Sequence, residues 1–278
     1  MPLLAGKKHL LRFCQGLVVP LVLVAVWEGL SRSGRINPQL LPAPSQIMAK
    51  WWETLKPAEP YDAAKTFFLR WLVSGELLAD SVASLYRVLV GFVLGAGLAL
   101  PIGLLMGAHR TVYRLFNPLM QILRPIPPIA FIPLSILWFG LGNPPAFFLI
   151  SLGAFFPVLV NTIIGVRNVD SIYLRAARNL GASGRTLFLR IILPAAAPYI
   201  LTGMRIGIGV AFIVVIVAEM IAVNNGLGYR ILEAREFYWS DKIIVGMLTI
   251  GLLGLALDTG MEKLNAHLLR WHRGLDNS

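Results

Sequence analysis

The sequence predicts an all-α polytopic membrane protein with six transmembrane helices. Three observations carry that fold class. Only 14% of the 278 residues are charged while 56% are hydrophobic, and the mean hydropathy is +0.70; a soluble domain carries about 25% charged residues. Apolar runs recur at the length of roughly 20 residues that a helix needs to cross a ~30 Å hydrocarbon core. Lysine and arginine collect on one set of connecting segments, the asymmetry that orients membrane proteins.

The first span, about 10–30, follows Lys7, Lys8 and Arg12. It resembles a signal peptide in charge but lacks a small-x-small cleavage site, so a retained helix is expected. Residues 31–80 form the longest connection, and in "PSQIMAKWWETL" Ile47, Met48, Trp51 and Leu55 recur at helical spacing beside Trp52. That pattern predicts an amphipathic helix, lying in the outer interface where tryptophan is enriched or packed as a cap on the spans. The second span, 82–107, carries Gly91, Gly95, Ala99, Gly103 and Gly107 at intervals of four. Such a stripe lets another helix approach closely, either within the chain or across a dimer.

The third span, 115–140, contains Pro125, Pro127, Pro128 and Pro133. Each removes a backbone donor and clashes with the preceding turn, so a kinked or broken helix is expected. Irregular backbone at membrane depth is tolerated only where protein buries it or water reaches it; the segment is either a kinked packing helix or one wall of a solute path. The fourth span, 146–166, is short and holds Pro157, the fifth, 197–223, has Gly203 and Gly207, and the sixth is 243–264. The organisation expected is thus a first segment at 1–30, an external segment at 31–80, a five-span core at 82–264 that includes a basic loop at 167–194, and a tail at 265–278.

One side of these spans collects 13 basic residues (among them Lys7, Arg110, Arg114, Arg167 to Arg190, Lys263, Arg270 and Arg273) against Asp170, Glu262 and Asp276. The other side has nine basic and eight acidic residues. The first side therefore holds +10 of the formal +11 and is predicted to be cytoplasmic, with both termini inside. The positive charge is accounted for by orientation, and no nucleic-acid partner is called for.

Ionisable groups inside spans are costly and usually face an interior or a cavity. Arg124, Arg205 and Asp258 fall at comparable depths. Either one arginine pairs with Asp258, or the excess positive charge of Arg124 or Arg205 helps pass an anion. Glu219 and Glu28 lie near outer span ends, where each can reach headgroup water. Asn161 in the fourth span reads as inter-helix hydrogen bonding or as a solute contact. Cys14 is the only cysteine, which excludes an intrachain disulfide. The four histidines, His9, His109, His267 and His272, have no metal spacing, and no catalytic or phosphate-binding motif occurs. The chain is not expected to be an enzyme or to hold a metal. If it moves a solute uphill, energy comes from an ion gradient, as in a secondary transporter, or from another subunit.

The segment "LRAARNLGASGRTLFLRIILP", residues 174–194, has four arginines and no acid between two apolar stretches. Its punctuation predicts two short helices. The first, about 170–180, is capped by Asp170 or Ser171 and ends at Gly181; the second, about 183–192, is capped by Ser183 and stops before Pro194. The paired alanines Ala176 and Ala177 make a smooth surface suited to a groove.

The spacing A-A-x3-G-x9-I-x-L-P, met by Ala176, Ala177, Gly181, Ile191, Leu193 and Pro194, resembles the EAA loop of ABC importer permeases. Arg175 stands where the family has glutamate. From about 16 to 265 the chain resembles the nitrate/sulfonate/bicarbonate branch of these permeases. "RPIPPIAFIPLSILWFGLG" is most similar to the taurine and aliphatic-sulfonate members. The resemblance implies a type I ABC importer permease of the MetI-like fold in a bacterial inner membrane. It further implies pairing of two copies, and a loop with Ala176, Ala177, Gly181, Ala182, Ser183 and Pro194 that couples to two cytoplasmic ATPase subunits. ATP and Mg would be bound by those subunits, with no cofactor in this chain, and a periplasmic or lipid-anchored binding protein would deliver the solute. The solute implied is a small anion, taurine or an aliphatic sulfonate, with nitrate, bicarbonate or another small organic solute as alternatives.

Overall fold

In hydrocarbon a backbone must satisfy its own hydrogen bonds, so apolar runs of this composition fold as helices. The computed structural model describes residues 3–34, 36–57, 68, 71 and 74–270, with side chains from residue 18 onward. The expectations placed on the side chains of Lys7, Lys8, His9, Arg12 and Cys14, on much of 58–73 and on the end of the tail (Arg273, Asp276) lie outside the described residues. The described residues contain helices and turns and no strand.

In chain order the helices are α1 Leu3–Arg32, α2 Pro44–Leu55, α3 Glu76–Ala108 and α4 Arg110–Leu123. A 3-10 turn, Pro128–Phe131, leads into α5 Ile132–Phe139, followed by α6 Asn143–Arg167, α7 Ser171–Asn179 and α8 Gly184–Leu187. A π turn, Phe188–Ile192, runs into α9 Leu193–Ala222; α10 Leu227–Glu236 and α11 Ser240–Leu268 complete the order. Among the described residues, Glu76–Ala108, Asn143–Arg167, Gly184–Ala222 and Ser240–Leu268 are long and apolar enough to cross a membrane. The predicted third span is broken: Arg110–Leu123 and Pro128–Phe139 meet at 82° and make a fifth crossing if counted as one. The first predicted span falls in α1, part of whose side chains is outside the description.

Two compact units can be distinguished, Met1–Ala79 with Arg230–Leu248 and Asp80–Tyr229 with Thr249–Ser278. In the first, α2 is fastened to α1. The Glu28 carboxylate accepts from Ser45 N (3.0 Å) and Ser45 Oγ (2.8 Å) at the α2 N-terminus, where an anion is favoured by the helix dipole. Ser31 Oγ donates to Leu41 O (2.8 Å). Ile47 is buried, while Met48 and Trp52 remain exposed. The amphipathic helix is therefore a docked cap that still presents apolar side chains outward. In the same unit Phe237 stacks on Trp239 (4.8 Å), Lys242 lies over the Trp239 ring (4.6 Å) and Tyr238 takes a left-handed φ of 57°.

The second unit is organised around α6. A Cβ on Gly91 would stand 2.5 Å from Ile150 Cγ2, on Gly103 2.8 Å from Thr162 Cβ, and on Gly107 2.6 Å from Val166 Cβ. Gly95 lies against the Ser151 carbonyl, and Ala99 between them is fully buried. The stripe thus seats α6 within the chain, the first of its two expected uses. From the other side α9 repeats the device, with Gly203 against Asn161 and Gly207 against Val158. The core between these helices includes Leu149, Ile150, Val158, Leu159 and Val215. An aromatic group around Phe148, with Phe131, Trp138 and Phe139 at 5.6–6.5 Å, packs α5 on α6.

The chain corrects one expected boundary. No helix stops before Pro194; α8, the π turn and α9 form one helical stretch, Gly184–Ala222. Leu193 N donates to Phe188 O, an i→i+5 bond. Widening the preceding turn lets the helix accommodate a residue that lacks a donor and would clash four residues back.

Candidate functional site

The proline break builds a concave site. Pro125, Pro127 and Pro128 interrupt the hydrogen-bond ladder after α4, and Arg124 caps its end. Beside this break is a cavity of about 340 Å3, within the roughly 300–1,000 Å3 of ligand pockets. Arg124, Ile126, Pro127 and Pro128 line one side, Gly153, Phe156, Pro157 and Asn161 of α6 another, and Ile206 and Val210 of α9 a third. Asn161 Nδ2 donates to Pro157 O (2.9 Å), the carbonyl one turn back on α6. That bond fixes the carboxamide and leaves its remaining donor and its oxygen for other partners. The Arg124 side chain has no hydrogen bond or ion pair among the described residues, and no carboxylate lines the cavity. Between Asp80 and Glu219 the sequence has ten arginines and a single acid, Asp170. Arg124 is the only charged residue in the lining, so the cavity wall is net positive and presents one guanidinium and one amide.

The other predicted intramembrane groups are elsewhere. Arg205 grips Asp258 with Nε to Oδ1 and Nη2 to Oδ2, both 2.7 Å, and its Nη2 also reaches Glu262 Oε2 at 3.0 Å. Of the two uses considered for Arg205, the structure has the ion pair, enlarged by a second acid one turn along α11. Arg205 does not line the cavity, although its neighbour Ile206 does. Structure thus brings Arg124 to Asn161 and Arg205 to Asp258, and keeps the two pairs apart.

Glu219 does not reach headgroup water; it is fully buried. Arg87 Nη1 donates to its Oε1 (2.6 Å), while Ser84 Oγ (2.9 Å) and Gly228 N (3.0 Å) donate to its Oε2. Arg87 also donates through Nε to Asn143 Oδ1 (2.8 Å), through Nη1 to Asn225 O (3.1 Å) and through Nη2 to Asn225 Oδ1. Asp80 Oδ1 accepts from Gly226 N (2.8 Å), and Ser84 Oγ accepts from Leu227 N (3.0 Å). Burial overrides exposure here because the 223–228 turn folds back and supplies backbone donors. Sequence reasoning missed this cluster. Its signal was Asp80, Ser84 and Arg87 at i, i+4 and i+7, a polar face opening an apolar helix.

The basic loop has the predicted turn. Asp170 caps α7, its Oδ1 accepting from Ile172 N (2.8 Å). Gly181 sits at φ +83°, its N donating to Arg178 O (2.9 Å), and Ala182 N donates to Ala177 O (2.9 Å). This pair of bonds is a Schellman ending, which wants glycine at the left-handed position. Ser183 precedes α8 in extended conformation without a side-chain capping bond. The alanines part company: Ala176 is exposed and Ala177 buried, because adjacent helix residues point about 100° apart. Ile172, Tyr173, Ala176 and Leu180 instead form an exposed apolar face, with Leu180 89% exposed. Pro194 is half-buried in the first turn of α9. Arg167 stacks over the Tyr113 ring (4.0 Å) and braces the end of α6 against α4. Among the described residues no three His, Cys, Asp or Glu side chains gather as a metal set would.

Comparison with known proteins identifies a family and a shared fold. The family described as "Binding-protein-dependent transport system inner membrane component" matches residues 99–273. A protein of Escherichia coli (strain K12) named for aliphatic sulfonates transport is 38% identical, with 96% of this chain and 94% of the relative covered. The taurine transport system permease protein of the same organism is 34% identical, covering 90% and 87%. Among solved structures, a chain of the MetNI methionine ABC transporter in an inward-facing conformation aligns with a TM-score of 0.61 at 18% identity, covering 69% of this chain and 95% of that one.

Proposed function

The chain belongs to the binding-protein-dependent transport system inner membrane component family, and from that premise we propose that it forms the translocation path of an ATP-driven importer for a small organic anion of the taurine or alkanesulfonate kind. As a transport permease of several membrane-crossing helices it is not an enzyme. The observation that carries the anion is Arg124, a guanidinium without an acidic partner among the described residues, facing a cavity shared with Asn161. The relatives named for taurine and aliphatic sulfonates support the same class of cargo.

In this reading two copies pair around the path, and two ATPase subunits bind ATP and Mg; the permease itself carries no cofactor. An external binding protein hands over the solute, and nucleic acid has no part. The basic loop and both termini face the cytoplasm, in keeping with the positive-inside rule. There α7 rests its exposed face, Ile172, Tyr173, Ala176 and Leu180, in an ATPase groove, as amphipathic helices do. Closure of the ATPase pair moves the loop and alternates access as a rigid-body change.

The test is uptake by proteoliposomes holding permease, ATPase and binding protein. Arg124→Gln is expected to lower sulfonate uptake about tenfold or more, the scale of one lost charged hydrogen bond, at an unchanged level of assembled protein. Uptake equal to wild type refutes the role of Arg124; absence of any ATP-dependent uptake refutes the importer.

A further inference from the structure

A second cavity, of about 580 Å3, lies between the end of α3 and the α8–π-turn segment. Its wall is apolar, with Leu104 and Leu105 on one side and Phe188 and Ile192 on the other, and its lining includes His109 and Arg185. Neither of those two side chains has a hydrogen bond or ion pair among the described residues. No acid occurs between Asp80 and Glu219 except Asp170, so nothing nearby in sequence neutralises Arg185. We propose that this cavity binds an anionic membrane phospholipid, one acyl chain against Leu104, Leu105, Phe188 and Ile192 and the phosphate on Arg185 and His109.

Charge and position select that occupant. A free anion would leave the apolar wall uncovered, and a zwitterionic lipid would bring its own cation up beside the guanidinium. His109 marks the junction where membrane-crossing α3 ends and α4 begins. Such a junction is where acyl chains give way to headgroups, and basic pockets between membrane helices at that level take anionic headgroups. A lipid held there ties the end of α3 to the second half of the basic loop.

The experiment uses the full-length permease in mild detergent, its melting temperature read with phosphatidylglycerol, phosphatidylcholine or inorganic phosphate. A ligand that binds only the folded state raises the melting temperature, by an amount that grows with the logarithm of its concentration over its dissociation constant. Phosphatidylglycerol is expected to raise it by several degrees, phosphatidylcholine by much less and phosphate by nothing. The double variant Arg185→Gln, His109→Gln should lose at least half of that increment, and Ala108→Phe, which fills the cavity, should lose it too; Arg235→Gln on α10 should keep it. An increment retained by the double variant, or matched by phosphate, overturns the proposal. Should the variants fail to fold, photoactivatable phosphatidylglycerol on the wild type decides: label within 101–109 or 184–192 supports the site, and label only elsewhere overturns it.

Discussion

Arg87 and Glu219, 132 positions apart in sequence, meet at 2.6 Å in the buried interior, each completed by neutral hydrogen-bond partners. Removing one member of such a pair strands the other charge, at a cost of about 3–5 kcal/mol, whereas removing both costs much less. Arg87→Met and Glu219→Leu are therefore each expected to lower stability strongly, and the double variant to fall well short of their sum. Denaturant titration of the purified protein measures the cycle; additive losses would mean that the two side chains act independently.

The close contact of α3 with α6 is tested by two neighbouring glycines. Gly95 abuts the Ser151 carbonyl, a backbone atom that cannot swing aside, whereas a Cβ on Gly97 meets nothing within 4 Å. Gly95→Ala should destabilise by roughly 1–3 kcal/mol through overpacking. Gly97→Ala should be neutral or stabilise by up to about 1 kcal/mol, the helix-propensity gain. Equal melting temperatures for the two variants would remove the packing role of the stripe.

The turn at Gly181 separates conformational strain from loss of contact. At φ +83° with open space around its Cα, the position rejects β-branched residues for backbone reasons alone and tolerates asparagine better. Gly181→Val should reduce uptake severely while ATP hydrolysis persists and the protein stays in the membrane. Gly181→Asn should retain more uptake than valine. Wild-type transport by the valine variant in vesicles would count against a coupling role for the turn.

Arg205 and Asp258 interact in a bidentate geometry that is both strong and directional, and both side chains are partly exposed, at 36% and 53%. Asp258→Asn and Arg205→Gln should each lower the melting temperature by several degrees. Exchanging the residues, Arg205→Asp with Asp258→Arg, should recover part of the loss, because the attraction survives and the fork geometry does not. A swap no better than the worse single change would count against the attraction between the two side chains as the source of the stability.

Much of this was readable beforehand, for reasons that can be stated residue by residue. Apolar runs report crossing helices directly, since hydrocarbon forces the backbone to bond to itself. Prolines 125, 127 and 128 cluster so closely that no helix can pass them, and the break follows. Gly181 announces its own conformation. What was not readable depends on partners distant in sequence. Pro194 looked like a stop, yet one widened turn accommodates it, and nothing local distinguishes the two outcomes. Glu219 looked interfacial because the donors that bury it come from Ser84, Arg87 and Gly228. Ala176 and Ala177 looked alike, and only packing of the rest of the chain decides which one faces out.

The continuous helical stretch Gly184–Ala222 has a mechanical consequence. At ~1.5 Å per residue its 39 residues make a shaft about 58 Å long. Its near end follows the Gly181 turn, its middle carries Ile206 and Val210 in the cavity wall and Arg205 in the ion pair, and its far end inserts Glu219 into the Arg87 cluster. In the proposed importer, a push at the base would be carried along this stretch to the cavity wall and the buried cluster. The short basic loop, the wall of a distant cavity and the buried ion pair thus share one continuous helix.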